Sequence, residues 1–501
     1  MAVFHVMGWL LILFGVILLI PMIIALYYRN TDSQGLVRVY AFLFPAIGSF
    51  VIGGLLHVIF KRSSLDSTGA ALLCAVVWIV FSILGAVPFQ LILGCSFVDG
   101  FFEAMSGFTT TGITVLAGLD EMPRCILFWR ALTQWMGGLG ILSLFLLLAF
   151  SGASSCHIFE AESHKIASSR PVPGLFNTLK IFWGIYAGFT LLSMIALTLE
   201  GMPFFDSLCH SFAALSTGGF SPHDASIEYY RQMGHPNYRL IEYTVAFFML
   251  LGGINFLIHF RVVIGDLRAL WDNVEMRYFW RLLALFLGII IFEKVYRVSG
   301  QASFAGLSPV QVLWRLEDIF RTVLFQVISL VTTTGFGTKD INTDYFGSVA
   351  KQLFIVMMFI GGCAGSTAGG FKVLRIVILN RLVSRELFRL RVGPRTSSAL
   401  VVDGKIVSHD EVYRVAALFF GWLLLIVMGG LITALCSNHG AFASLSGMFS
   451  AVGNIGPCYI SVPDIAILSP AVKLTYILGM LAGRLELLPV ILLFSRKAWT
   501  Y

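Results

Sequence analysis

Ten mainly apolar stretches, at about 7–28, 37–60, 70–93, 126–150, 178–200, 239–264, 279–299, 349–379, 411–436 and 471–495, restrict this chain more than any other feature. A hydrocarbon layer about 30 Å thick takes roughly 20 apolar residues of helix to cross. Only 12% of the residues are charged and mean hydropathy is +0.86, whereas soluble domains carry roughly 25% charged residues. An all-α polytopic membrane protein in the lipid bilayer is therefore expected. The first stretch, "VMGWLLILFGVILLIPMIIAL", has no basic leader or small-residue cleavage site, so it reads as a retained span. With both termini inside, the inner loops hold 20 of the 34 Lys and Arg and the outer loops 13. That sign agrees with the positive-inside rule, and it is carried mainly by the basic run at 372–395. A headgroup-contacting segment explains that run better than nucleic-acid binding.

Between the long stretches lie four Thr/Gly clusters: Thr110-Thr111-Gly112-Ile113, Thr217-Gly218-Gly219-Phe220, Thr333-Thr334-Gly335-Phe336 and Asn454-Ile455-Gly456-Pro457. Their glycines recur at intervals of 107, 116 and 121 residues. Six residues before each glycine stands Ser106, Ala213, Ser329 or Ser450. A half-length apolar segment precedes each cluster, at 97–108, 204–215, 319–330 and 440–451. β-branched residues and glycines make poor helix, and bare backbone amides are not tolerated in lipid. The expected unit is helix, half-helix, extended glycine loop and helix. It occurs four times, at 67–152, 171–265, 276–395 and 408–501, after two extra N-terminal spans in 1–66. Four repeats predict pseudo-fourfold symmetry about a central axis.

Irregular backbone at membrane depth survives where it lines a water-filled cavity. Four loops facing one axis would offer rings of carbonyl oxygens in place of an ion's hydration shell. The C-terminal dipole ends of the half-helices would favour a cation there. For one cluster alone, simple close packing of small residues is the alternative; four phased copies favour the pore.

These loops, together with "GGCAGSTAGGFK" (361–372), "VGNIGP" (452–457) and "LAGRLELLP" (481–489), make the chain resemble the Trk/Ktr/HKT superfamily of potassium transporters. It is most similar to the bacterial TrkH/TrkG membrane subunits, over essentially the whole length. The resemblance implies potassium as the permeant ion, with sodium as the alternative, and a selectivity filter centred on Gly112, Gly219, Gly335 and Gly456. It also implies a multi-pass protein of the bacterial cytoplasmic (inner) membrane, a homodimer, and a TrkA-like cytosolic ring of Rossmann-type nucleotide-binding regulatory domains. The fourth loop departs from the threonine pattern, which implies looser selectivity.

The stretch 349–379 is interrupted by "GGCAGSTAGG" (361–370). Five glycines among small residues weaken a helix by roughly 0.5–1 kcal/mol each relative to alanine. Gly361, Gly362, Gly365, Ser366, Thr367, Gly369, Gly370 and Lys372 are read as a movable gate beneath the filter, with close packing as the alternative. A nucleotide P-loop is the weaker alternative, since its motif is not satisfied: Phe371 separates Gly370 from Lys372 and no Ser or Thr follows. Arg484 falls inside the last apolar stretch, where a charge must face protein or water. It is expected in the pore against 361–370; the alternative is a structural ion pair between helices, for which Glu486 is a poor same-helix partner. The outer carboxylates Asp120, Glu121, Asp224, Glu228, Asp340, Asp344 and Asp464 could concentrate cations or simply be solvated.

The eight cysteines are scattered, and the histidines, including His210, His223, His235 and His259, lack ligand spacing. No nucleophile–base or cofactor motif appears, so the expectation is a transport protein with no bound cofactor rather than an enzyme. An alternating-access cation symporter is the alternative, although such folds typically use two repeats rather than four.

Overall fold

The computed structural model describes residues 2–28, 35–60, 67–150, 175–300, 308–392 and 399–499. The described chain is helical except for loops and one two-stranded antiparallel hairpin, Val401–Val402 with Lys405–Ile406. The N-terminal helices Ala2–Tyr27 and Gly35–Ile59 meet at glycines. A methyl group on Gly8 would lie 2.7 Å from the Gly53 carbonyl, and one on Gly53 would lie 2.7 Å from that of Gly8. Close backbone approach of this kind holds helices together in lipid, where burying apolar surface against apolar surface gains little. Phe14 then stacks on Phe81 at 4.3 Å and meets Phe108 and Trp129, which anchors the pair to the rest of the bundle.

Of the ten expected spans, seven are continuous helices and three are broken. Val3–Tyr27, Gly35–Ile59, Thr68–Leu93, Asn177–Leu199 and His409–Cys436 are long and apolar enough to cross a membrane alone. Arg124–Phe150 and Val274–Gly300 are also unbroken. The stretch 239–264 bends by 107° between Gly253 and Phe256. There Asn255 caps the second piece, accepting from the Leu257 amide at 2.8 Å after two helix-weakening glycines. The stretch 349–379 divides into Ser348–Phe359 and Val373–Val392 around the glycine-rich segment. The last divides into Pro470–Leu485 and Leu487–Leu493 at Glu486, whose φ is +68°.

Three of the half-length segments are helices of 12 or 13 residues: Phe97–Phe108, Phe204–Leu215 and Ala441–Gly453. The third in chain order is longer than 319–330. Pro309–Val331 has 23 residues, starting at a capping box formed by Ser308 and Gln311 with Pro309 at the first helical position. The added turns carry Glu317 and Asp318, which pair with Arg321.

Candidate functional site

Each half-helix ends in the same hydrogen-bond pattern. The amides of Thr111, Gly218, Thr334 and Ile455 donate back to the carbonyls of Ser106, Ala213, Ser329 and Ser450 at 2.8, 2.8, 2.8 and 3.1 Å. The preceding residues, Thr110, Thr217, Thr333 and Asn454, are left-handed, with φ between +50° and +53°, and each donates three residues back. This is the Schellman termination, in which glycine is usual at the left-handed position. Three β-branched threonines there cost roughly 1–2 kcal/mol each, so the surrounding structure must hold them. Asparagine tolerates the left-handed region better. The fourth cluster therefore loses the threonine without losing the backbone shape.

Two residues on, Gly112, Gly219, Gly335 and Gly456 have φ of +84°, +79°, +91° and +106°, a region glycine enters without a Cβ penalty. These glycines are also where neighbouring loops touch. A Cβ on Gly112 would fall within 3.0 Å of the Gly218 carbonyl oxygen, one on Gly219 within 3.0 Å of that of Thr334, and one on Gly335 within 3.0 Å of that of Ile455. A Cβ on Gly456 would lie 3.1 Å from the Thr111 carbonyl oxygen. Every contact runs from a loop glycine to the residue preceding the next loop's glycine, and the fourth returns to the first. The four loops form a closed ring in chain order. The glycines and Ile113, Phe220, Phe336 and Pro457 after them line a cavity of about 270 Å³.

The residue six before the glycine acts as a brace. Ser106 Oγ donates to the Ile113 carbonyl at 2.5 Å and Ser329 Oγ to that of Phe336 at 2.7 Å. Ser450 Oγ accepts from the Gly456 amide at 3.1 Å. Ala213 cannot do this. Gln134, on the helix Arg124–Phe150, takes over by donating to the Gly218 carbonyl at 2.6 Å and accepting from the Phe220 amide at 3.0 Å. A buried ion pair also supports the first two loops. Arg130 Nε meets Glu103 Oε1 at 2.7 Å, the guanidinium donates to the Ser221 carbonyl at 2.9 Å, and it lies 4.1 Å from the Phe220 ring centre. The Asn454 amide group joins the fourth loop to the first, donating to Thr111 Oγ1 at 2.8 Å.

On one side of the ring lies segment 361–370. Its neck is tied by Gly361 N–H to the Phe371 carbonyl and Phe371 N–H to that of Phe359, both at 3.0 Å. A side chain at Gly361 or Gly370 would strike the opposite strand of the neck. The amides of Cys363 and Thr367 satisfy the terminal carbonyls of Gly253 and Gly252 at 3.0 and 3.2 Å, where the 107° bend leaves them without helical partners. Glu275, also buried, accepts from the Ala364 amide at 2.7 Å. Gly369 donates to Thr333 Oγ1 at 2.6 Å, so the segment rests directly on the ring. Gly362, Gly365 and Ser366 are buried within it, and Lys372 donates to the Ala368 carbonyl. Arg484, 4% exposed, donates to the Thr367 carbonyl at 2.7 Å and the Gly137 carbonyl at 3.1 Å. The guanidinium thus joins the segment to the helix Arg124–Phe150 through carbonyls, and among the described residues its charge meets no carboxylate.

The opposite side opens on the cavity, whose lining includes Asp224, Glu228 and Asp340. The outer carboxylates differ in their engagements. Asp464 accepts from Ser461 at 2.6 Å at the start of a short helix, and Glu228 pairs with Lys339. Asp120 meets His223 Nδ1 at 2.5 Å, while His223 Nε2 meets Asp206 at 3.1 Å and the ring stacks on Tyr229 at 3.6 Å. Burial opposes protonation of His223, but the hydrogen bonds and charges of Asp206 and Asp120 outweigh it and raise its pKa above 6.5. A raised pKa contributes stability that is complete below the unfolded value and is lost as pH rises through the folded one. Purified protein is therefore expected to lose its thermal-stability advantage over His223→Gln as pH rises from below the ordinary histidine value into the alkaline range. A gap that stays constant across that range would count against the tie.

Gln134, Asn255, Glu275, Glu103 and Arg130 escaped the sequence reading. Polar residues in apolar stretches were the available signal, but which loop each reaches is a matter of packing.

The family model described as "TrkH: Cation transport protein" matches residues 93–501. The chain is 31% identical over 508 residues to the Trk system potassium uptake protein TrkH of Salmonella typhimurium, covering 99% of each. It is 29% identical to the Trk system potassium uptake protein TrkG of Escherichia coli, covering 99% of this chain and 98% of that one. The crystal structure of the potassium transporter TrkH from Vibrio parahaemolyticus superposes with a TM-score of 0.84 at 30% identity, over 99% of both chains. These are membrane transport proteins rather than enzymes. With the family model matching most of its length, the chain belongs to the TrkH family of cation transport proteins.

Proposed function

We propose that this protein carries potassium into the cell through the ring of four loops, which acts as a selectivity filter. The closed contact cycle among Gly112, Gly219, Gly335 and Gly456 carries this reading. It brings four similar stretches of backbone together around one cavity, the arrangement that lets carbonyl oxygens replace an ion's water. The relatives named as potassium uptake proteins support potassium as the substrate, with sodium as the competing ion. The functional units are 67–152, 171–265, 276–395 and 408–501, following two N-terminal spans. Segment 361–370 and Arg484 form the gate, a reading supported by the segment's contact with the third loop and by the hold of Arg484 on the segment. The protein acts as a homodimer in the bacterial inner membrane with both termini cytoplasmic. A cytosolic nucleotide-binding ring of the TrkA kind regulates it, a reading supported by the "Trk system" in the relatives' names.

The test is growth of a potassium-uptake-deficient bacterium on low external potassium. Expression of this chain is expected to restore growth, and excess sodium to compete weakly. A correctly inserted protein that fails to rescue would remove the potassium assignment. Flux in liposomes then separates a channel from an alternating-access symporter, because only the symporter saturates at low turnover.

A further inference from the structure

We propose that the buried pair Glu486–Arg375 is the latch of the gate, with Glu486 acting as a positioning residue for Arg484. This rests on the reading of Arg484 and segment 361–370 as the gate.

Glu486 stands at the break between Pro470–Leu485 and Leu487–Leu493, with φ +68° and ψ 159°. That region is essentially reserved for glycine, and other residues persist there only when their surroundings hold them. What holds Glu486 is its carboxylate, which accepts from Arg375 Nη2 in the interior. The two side chains are 11% and 5% exposed. Arg375 occupies the first turn of the helix that leaves the glycine-rich segment, and its amide donates to the Lys372 carbonyl at 3.0 Å.

One break in the last span therefore grips the gate twice. Arg484, two residues before Glu486, holds the middle of the segment through the Thr367 carbonyl at 2.7 Å. Glu486 holds the helix at the segment's exit. Glu486 also decides where charge resides. It pairs with Arg375, while Arg484, among the described residues, presents its charge to the Thr367 and Gly137 carbonyls. Neutralising Glu486 removes the second grip and the partner that keeps its own residue in the left-handed region. Arg484 then no longer sits in register with Thr367.

Potassium flux into liposomes is measured for wild type, Arg484→Ala, Glu486→Gln, and the double variant. Glu486→Gln is expected to raise flux roughly tenfold, and the double variant to match Arg484→Ala alone, because coupled residues are non-additive. Exchanging the charges, Arg375→Glu with Glu486→Arg, is expected to return flux toward wild type. Arg375→Gln supplies the same measurement if Glu486→Gln is not monodisperse in detergent. Wild-type flux in a well-folded Glu486→Gln protein, or full additivity with Arg484→Ala, overturns the latch. Unchanged flux in Arg484→Ala itself overturns the gate and the latch together, which tells the two failures apart.

Discussion

Gly335→Ser is expected to reduce potassium uptake at least about a hundredfold, corresponding to roughly 2.7 kcal/mol in the barrier. Two costs add at this position. With φ at +91°, any side chain is strained, by roughly 1–2 kcal/mol for a left-handed residue. The new Cβ would also fall inside 3.0 Å of the Ile455 carbonyl oxygen and lie 3.0 Å from Pro457 Cδ. Neither neighbour is the free end of a flexible side chain, so the third and fourth loops must separate and the ring opens. Gly337, two residues on, is the control. A Cβ there would meet nothing nearer than the Lys339 carbonyl at 3.4 Å, and no positive φ is required, so Gly337→Ser is expected to stay near wild type. Gly456→Ser is expected to be milder than Gly335→Ser, its nearest contact being 3.1 Å away. Initial uptake rates, normalised to membrane-inserted protein, check this order. Equal rates for Gly335→Ser and wild type would end the filter assignment.

Arg484→Ala is expected to do the reverse and raise flux by up to about a hundredfold. A unit charge about 5 Å from a passing cation, at an effective dielectric near 20, opposes it by roughly 3 kcal/mol. Removing the guanidinium also frees the Thr367 and Gly137 carbonyls that it occupies. Arg484→Lys keeps the charge but cannot reproduce a planar two-carbonyl grip, so it is expected to fall between the two. Unidirectional flux into proteoliposomes, with the protein shown to be monodisperse, gives the ranking. A flux that stays flat or drops in Arg484→Ala would make the arginine a structural tie rather than a barrier.

Local features of the sequence carried much of the architecture. Apolar length located the spans, and the register of Thr/Asn, one residue, then Gly matched four identical backbone turns. The serine six residues earlier was visible as a spacing, and the structure supplies its job as a brace. Breaks were harder to place. The glycines at 361–370 marked one interruption, yet the 107° bend at Asn255 looks like an ordinary apolar run, since one asparagine after two glycines does not require a bend. The longer third half-helix starts at the capping box of Ser308 and Gln311, which only shows once the turn forms. The break at Glu486 lies in a stretch whose composition predicts a continuous span, because a glutamate in the left-handed region has no local signal.

What the sequence determined by itself is therefore what acts over a few residues: which segments favour lipid, where helices end, and where only glycine fits. Closure of the four loops into a ring was settled by tertiary packing. So were the replacement of the missing serine by Gln134 and the meeting of Arg484 with Thr367 and of Arg375 with Glu486. The reason is distance along the chain. These partners are separated by 84 to 117 positions or more, so no local preference selects them. They meet because the half-helices and broken spans, once packed, bring these buried polar groups to partners that offset part of the cost of leaving water.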